Sequence, residues 1–290
     1  MTNPLKIPTI PMLAMTLLFL GFQVNAQEAT EWAEGDFAKS RLVASHKSVP
    51  ADQDGPLYLG WQVKLEGNWK IYWRTPGSAG LPPVFSWEGS INVAGTEVLF
   101  PLPERFEIFE LQTYGYHDEV VYPIKITPAI AGAPVTLKVK VNYLVCEDLC
   151  VPVVDEFEMV IPAAKGEAPL SIHAGLIDRY LRQVPEKVAG MGKTVHLTDV
   201  SLAGVPGAQN LILTLKGGAL LSGADIIVED IEGFKFGIPK KRLLAGGNEV
   251  EFIVPVRTNR SNGNLSGETL TLIIADGWGR QEEINLTVED

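Results

Sequence analysis

Two cysteines in 290 residues are too few for a disulfide-dense scaffold or a multi-cysteine metal cluster. The four histidines, His46, His117, His173 and His196, stand far apart, and no H-E-x-x-H motif occurs. The five methionines do not gather outside the first residues. Neither a zinc-hydrolase centre nor a methionine-rich copper site is therefore indicated. Basic residues are scarce as well: 24 Lys and Arg stand against 35 Asp and Glu, a net charge of -11. Such a surface suits neither nucleic acid nor an anionic membrane. A P-loop, a G-x-S-x-G elbow and a dinucleotide-binding glycine fingerprint are all missing, and no bound cofactor is expected. The adjacent carboxylates Glu229-Asp230 and Glu282-Glu283 read as solvated surface.

Long apolar runs are also rare. The one near the start, from about Ile10 to Phe22, follows Lys6 and precedes Val24-Asn25-Ala26. It is shorter than the roughly 20 residues that cross a bilayer. Residues 1–26 therefore read as a cleaved secretory signal that delivers the mature chain to an oxidising compartment. No cysteine stands at the cleavage point for lipid attachment, and no later segment is apolar enough to span.

What remains is short alternating runs broken by Gly, Pro, Asn and Asp. Strands are expected over Ala38–Ser45, Leu57–Leu65, Lys70–Trp73, Val84–Trp87, Val93–Phe100, Val120–Ile126, Val135–Tyr143 and Val151–Ile161. Glu66-Gly67-Asn68 reads as a hairpin turn, and Thr75–Gly80 and Leu111–Tyr116 as loops. A Pro- and Ala-rich stretch, residues 163–169, reads as a linker. An amphipathic helical pattern from Leu170 to Val184 follows it, ended by Pro185. The β pattern then resumes over Val195–Leu202, Leu211–Leu215, Asp225–Val228, Val250–Val256, Thr269–Ile274 and Glu282–Val288. The expected architecture is all-β: a sandwich over 27–162, then a second β-sandwich-like domain over 170–290 with a short helix at its start.

Both cysteines fall in one stretch, Tyr143-Leu144-Val145-Cys146-Glu147-Asp148-Leu149-Cys150-Val151-Pro152. A hairpin with a three-residue loop would set the sulfurs on facing strands, with Cβ atoms about 4.5–5.5 Å apart, and a modest twist would bring them into bonding range. A helical turn would also bring i and i+4 together, but the surrounding valines and Pro152 favour strands. One reading is a structural staple. However, closing a five-residue loop contributes only about 2 kcal/mol in the chain-entropy account, which is a poor clamp. A redox-active pair that opens without unfolding the chain is the other reading. Glu147 and Asp148 between the sulfurs disfavour a thiolate, which suits a reductant better than an oxidant. The aromatics Trp69, Tyr72, Trp73, Tyr114 and Tyr116 read as core packing or, more sharply, as a lid over the sulfurs.

Gly67-Asn68-Trp69-Lys70-Ile71-Tyr72-Trp73-Arg74-Thr75-Pro76-Gly77 and Gly80-Leu81-Pro82-Pro83 resemble the N-terminal periplasmic domain of DsbD-type thiol:disulfide interchange proteins, nearest to the ScsB branch linked with copper tolerance. Tyr114-Gly115-Tyr116-His117-Asp118-Glu119-Val120-Val121 and the cysteine stretch strengthen the likeness. The resemblance implies an immunoglobulin-like fold, a periplasmic location and no cofactor. It implies protein-disulfide reduction, with electrons passing to periplasmic thioredoxin-fold proteins from a separate membrane-embedded DsbD-type donor. Cys150 would be the exchanging sulfur and Cys146 its resolving partner. Tyr114, Gly115 and Tyr116, with Tyr72 and Trp73, would form the cap. The chain departs from the best-studied relatives in a shorter inter-cysteine loop and in Gln112-Thr113 before the aromatic pair, where those relatives carry acidic residues. The rival reading is a non-enzymatic binding or chaperone-like module whose disulfide is structural.

Overall fold

The computed structural model describes residues 27–49, 56–108, 111–164, 166–244, 246–260 and 263–289. The expected secretory signal and Lys165 of the expected linker lie outside them. Among the described residues the protein is all-β apart from one short helix, Ala174–Leu181.

The first half is an immunoglobulin-like sandwich. One sheet has the strand order Ala33–Glu34, Ala38–Ala44, Leu57–Leu65, Glu119–Thr127, Gly95–Val98. The facing sheet pairs Cys150–Ile161 with Val135–Cys146 and then Val84–Ser86. Alternation along Val135–Cys146 explains the packing. Val135, Leu137, Val139, Val141, Tyr143 and Val145 point inward, while Lys138, Lys140 and Asn142 face solvent. The inward row meets Leu59, Trp61, Val63, Tyr122 and Ile124 in one apolar core. Trp61 is fully buried, edge-on to Phe85 and Tyr143.

A third sheet, absent from the sequence expectation, closes one end of the sandwich. Its order is Ile71–Gly77, Leu111–Tyr116, Glu104–Ile108. Leu111–Tyr116, expected as a loop, is thus its central strand. The strand at Ile71 runs on to Gly77, past an irregularity between Tyr72 and Gly77, instead of stopping at Trp73. Glu66–Asn68 is a turn, with Trp69 N–H donating to Glu66 O. It carries the chain from the first sheet to this third one, so it closes no hairpin. Gly115 is required here, because a Cβ would meet Ile71 O at 2.2 Å.

The second half has its own apolar core, including Leu213, Phe234, Phe252, Leu272 and Ile284. It lies between a four-stranded sheet (Glu186–Lys187, Gln281–Thr287, Thr269–Ala275, Asp225–Val228) and a five-stranded one built on Val195–Val205, Ala208–Gly217 and Glu249–Thr258. The helix is shorter than its apolar pattern. Before it, the chain is zipped to the first half: Lys47 N–H donates to Pro169 O, and Ser171 N–H to Ser45 O. Leu170 and Ile172 are consequently exposed instead of lying on a helix face. The helix docks on the first sheet, where Ile177 is buried and Tyr180 Oη donates to Glu119 O at 2.9 Å. Gly60 permits the approach, since a Cβ there would meet Val121 Cγ1 at 2.5 Å and Ile177 Cγ1 at 3.2 Å. No helix among the described residues is long and apolar enough to cross a membrane.

Candidate functional site: a disulfide at a hairpin tip

The strands Val135–Cys146 and Cys150–Ile161 pair antiparallel in unbroken register, from Val135 opposite Ile161 to Cys146 opposite Cys150. Glu147-Asp148-Leu149 closes the turn, with Glu147 N–H donating to Leu149 O at 3.1 Å. Cys146 and Cys150 are joined in a disulfide whose Cα atoms lie 4.1 Å apart. Both backbone groups of Cys146 are turned the other way. Lys70 N–H donates to Cys146 O at 2.9 Å, and Cys146 N–H donates to Lys70 O at 3.0 Å. The cysteines thus form a non-hydrogen-bonded cross-strand pair, the closer kind in an antiparallel ladder. This resolves the choice between strand and helical turn and supplies the approach the sulfurs need.

The same pairing makes the two cysteines unequal. Cys146 lies between two neighbours, Cys150 on one side and Lys70 on the other, and is only 3% exposed. Cys150 belongs to the edge strand of its sheet and is exposed. Two residues on, Pro152 has no N–H to offer a further strand. On the outward face beside the disulfide, the next rows are Pro152 with Leu144, then Val154, Asn142 and Val84. Val154 is 52% exposed, Val84 60% and Leu149, in the turn, 61%. Farther from the tip the face becomes charged, with Lys140–Glu156 and Lys138–Glu158 ion pairs. An apolar collar therefore adjoins the disulfide, between this charged ladder and the acidic turn residues Glu147 and Asp148.

The five expected cap residues come together in the third sheet. Tyr72 pairs with Gly115, and Tyr116 with Ile71, and the strand they share starts one residue beyond Lys70, the backbone partner of Cys146. Their side chains are deeply buried. Tyr116 Oη donates to Pro101 O at 2.7 Å, Tyr122 Oη donates to Tyr72 O at 3.0 Å, and Trp73 meets Tyr114 edge-on. Burial raises the pKa of Tyr72, Tyr114 and Tyr116 above the ordinary tyrosine range. Trp73 and Tyr114 belong to the first core where Ile227 and Ile273 of the second half join it.

Residues that the sequence reading passed over fasten this sheet. Arg74 binds Glu229 and Glu283, its Nη2 donating to Glu283 Oε2 at 2.7 Å, and Thr75 Oγ1 donates to Glu229 Oε2 at 2.5 Å. Burial lowers the pKa of Arg74, but the two carboxylates outweigh it and the net shift is upward. Arg105 pairs with Asp225 at 3.0 Å, and Gln112 Nε2 donates to Phe236 O at 2.7 Å. The adjacent carboxylates expected to be solvated are therefore engaged. Glu282 accepts from the backbone N–H groups of Lys193 and Thr194, and burial raises the pKa of Asp230. The available signal was Arg74 itself, a lone charge inside an aromatic strand. Phe106 was also missed; its ring lies 4.8 Å from Lys70 Nζ. Among the described residues, no group of three or more His, Cys, Asp and Glu could hold a metal ion.

Fold and site define an all-β domain of immunoglobulin type that carries a disulfide at the tip of a hairpin. Residues 39–162 match the family model "Thiol:disulfide interchange protein DsbD, N-terminal". Residues 183–290 match the model of a domain family of unknown function. Among solved structures, the chain is similar to the N-terminal periplasmic domain of ScsB from Proteus mirabilis, with a TM-score of 0.68 and 22% identity over 92% of this chain and 99% of that one. At that identity the likeness is one of fold. No curated protein matches the chain in sequence.

Proposed function

We propose that the protein is a periplasmic thiol–disulfide exchange module. It passes electrons from a membrane-embedded DsbD-type donor to thioredoxin-fold proteins through Cys146 and Cys150. The observation that carries this reading is the unequal exposure of the two cysteines: Cys150 is open to a partner and Cys146 is 3% exposed behind it. Exchange needs one sulfur within reach of an in-line attacking thiolate and a second held close enough to expel the partner. The match of residues 39–162 to the DsbD N-terminal family model supports the same reading. The apolar collar of Leu149, Pro152, Val154 and Val84 would seat the partner around its own reactive cysteine. The third sheet, with Tyr72, Trp73, Tyr114, Gly115 and Tyr116, would shield the buried sulfur through its junction at Lys70.

In the exchange, a partner thiolate attacks Cys150 Sγ. The partner–Cys150 bond forms, the Cys146–Cys150 bond breaks, and the electron pair leaves on Cys146. A second thiolate of the donor then releases Cys150, so two electrons enter the chain and the donor is oxidised. Delivery to a client runs the same steps in reverse. Single mutants test the assignment. Cys146→Ala should accumulate a mixed disulfide with a thioredoxin-fold protein, because nothing remains to resolve it, whereas Cys150→Ala should trap little. Equal trapping by both would refute the division of roles. No trapping by either, with a bridge that resists mild thiols, would favour a structural disulfide.

A further inference from the structure

We propose that Lys70 supplies the positive charge that stabilises the Cys146 thiolate released when a partner attacks Cys150. The inference rests on the exchange reading above and adds a residue to it. In either direction of exchange Cys146 is the sulfur that leaves as a thiolate or attacks as one. That sulfur is almost wholly buried, and burial disfavours the charged form of a thiol. Glu147 and Asp148, exposed in the turn beside it, add negative charge. A compensating cation is needed, and the sheet provides one.

Lys70 and Cys146 exchange both backbone hydrogen bonds, at 2.9 and 3.0 Å. Two residues so paired sit directly opposite each other, side chains on the same face and Cβ atoms about 4.5–5.5 Å apart. Lys70 thus stands on one flank of Cys146 as Cys150 stands on the other. Its ammonium lies 4.8 Å from the centre of the Phe106 ring, a cation–π contact that restrains a flexible side chain. Phe106 is backed edge-on by His117. From that ring the Lys70 side chain, whose Cβ is set beside that of Cys146, is within reach of the sulfur when a thiolate forms. An opposite charge within about 4–6 Å shifts a titrating group by one or more pKa units towards its charged form.

The test uses a protein with Cys150→Ala, in which Cys146 is the sole thiol, and follows thiolate absorbance at 240 nm against pH. Lys70→Met should cut the thiolate fraction below the midpoint about tenfold, the equivalent of one pKa unit. Lys70→Arg should retain most of it. Lys70→Gln, uncharged but polar, is measured alongside and should behave as Lys70→Met, so a folding defect from the apolar side chain does not decide the result. Each variant keeps the backbone pair, so a purely structural role for Lys70 would leave the midpoint in place. Unchanged titration in both uncharged variants would overturn the proposal. The unsubstituted dithiol is assayed separately against a thioredoxin-fold disulfide. Failure there would remove the exchange reading, while the titration alone decides whether Lys70 stabilises the thiolate.

Discussion

Replacing Arg74 by Met should cost the protein far more than an ordinary charge deletion. The side chain is 27% exposed, and Glu229 and Glu283 are 15% and 11% exposed. Removing the guanidinium leaves two carboxylates facing one another at the contact between the halves. Breaking a buried pair from one side costs about 3–5 kcal/mol. Because Arg74 retains some solvent contact, the lower end, about 3 kcal/mol, is expected. Met preserves the stem, so little of this is lost packing, although the contact of the guanidinium with Trp73 at 4.7 Å also goes. The comparator is Arg182→Met, which breaks an exposed helical pair with Asp178 and should cost under about 1 kcal/mol. Urea unfolding at neutral pH measures both. Adding Glu229→Gln and Glu283→Gln to Arg74→Met should recover much of the loss, because the uncompensated charges are then gone. A loss below about 1 kcal/mol for Arg74→Met, equal to the comparator, would refute the claim that this cluster fastens the third sheet.

Tyr114→Ala should speed reduction of the disulfide by dithiothreitol, because it opens the third sheet that we propose shields Cys146; an unchanged rate in a folded variant would count against the cap. For domain organisation, limited proteolysis should first cut within residues 163–169. A chain ending at Val184 should nevertheless be more stable than one ending at Ala164, by the roughly 2 kcal/mol that burying Ile177 contributes; equal stability would detach the helix from the first unit. Alkaline pH should unfold the protein as the tyrosines ionise. Burial raises the folded pKa of Tyr72, Tyr114, Tyr116, Tyr122 and Tyr143. Stability is therefore intact below the ordinary tyrosine value of about 10 and lost as pH rises above it, where only the unfolded chain releases these protons. Tyrosinate absorbance should rise together with loss of β circular dichroism; ionisation well ahead of unfolding would contradict the burial argument.

Several strands were legible, because short runs of β-type apolar residues bounded by turn residues are written locally. Leu57–Leu65, Asp225–Val228 and most of the site hairpin appear where the pattern placed them. The hairpin geometry of the cysteine stretch also followed from its valines and its short turn. Other features depended on distant partners. Leu111–Tyr116 carries polar Gln112 and Thr113, which look solvated until Gln112 reaches Phe236 across the halves. Arg74 meets Glu229 and Glu283 over separations of 155 and 209 residues, and no local pattern encodes such a match. Glu66-Gly67-Asn68 turns the chain as its composition requires, but only the packing decides that the next strand enters a different sheet. The amphipathic pattern from Leu170 to Val184 is real as far as Ile177 and Tyr180. Its first residues are claimed by backbone bonds to Ser45 and Lys47, which outweigh helix propensity.

Placing the reducible bond at the end of a long ladder separates its chemistry from the stability of the domain. Eleven register pairs from Val135–Ile161 to Val145–Val151 hold the hairpin without the sulfurs. The loop that the disulfide closes contributes only about 2 kcal/mol by chain entropy. Reduction therefore removes a small fraction of the interactions that fix the two strands, and the pair with Lys70, made by backbone groups alone, is untouched by the redox state. Cys146 then remains where it can return to Cys150, while the edge position leaves Cys150 exposed. The second half contributes at a distance. By fastening Arg74 and Arg105 it fixes the sheet whose first strand begins just beyond Lys70. Damage at Arg74 should consequently reach the cysteines through a loosened flank of Cys146 and raise the rate at which small thiols reduce the bond, even though Glu229 and Glu283 belong to the second half.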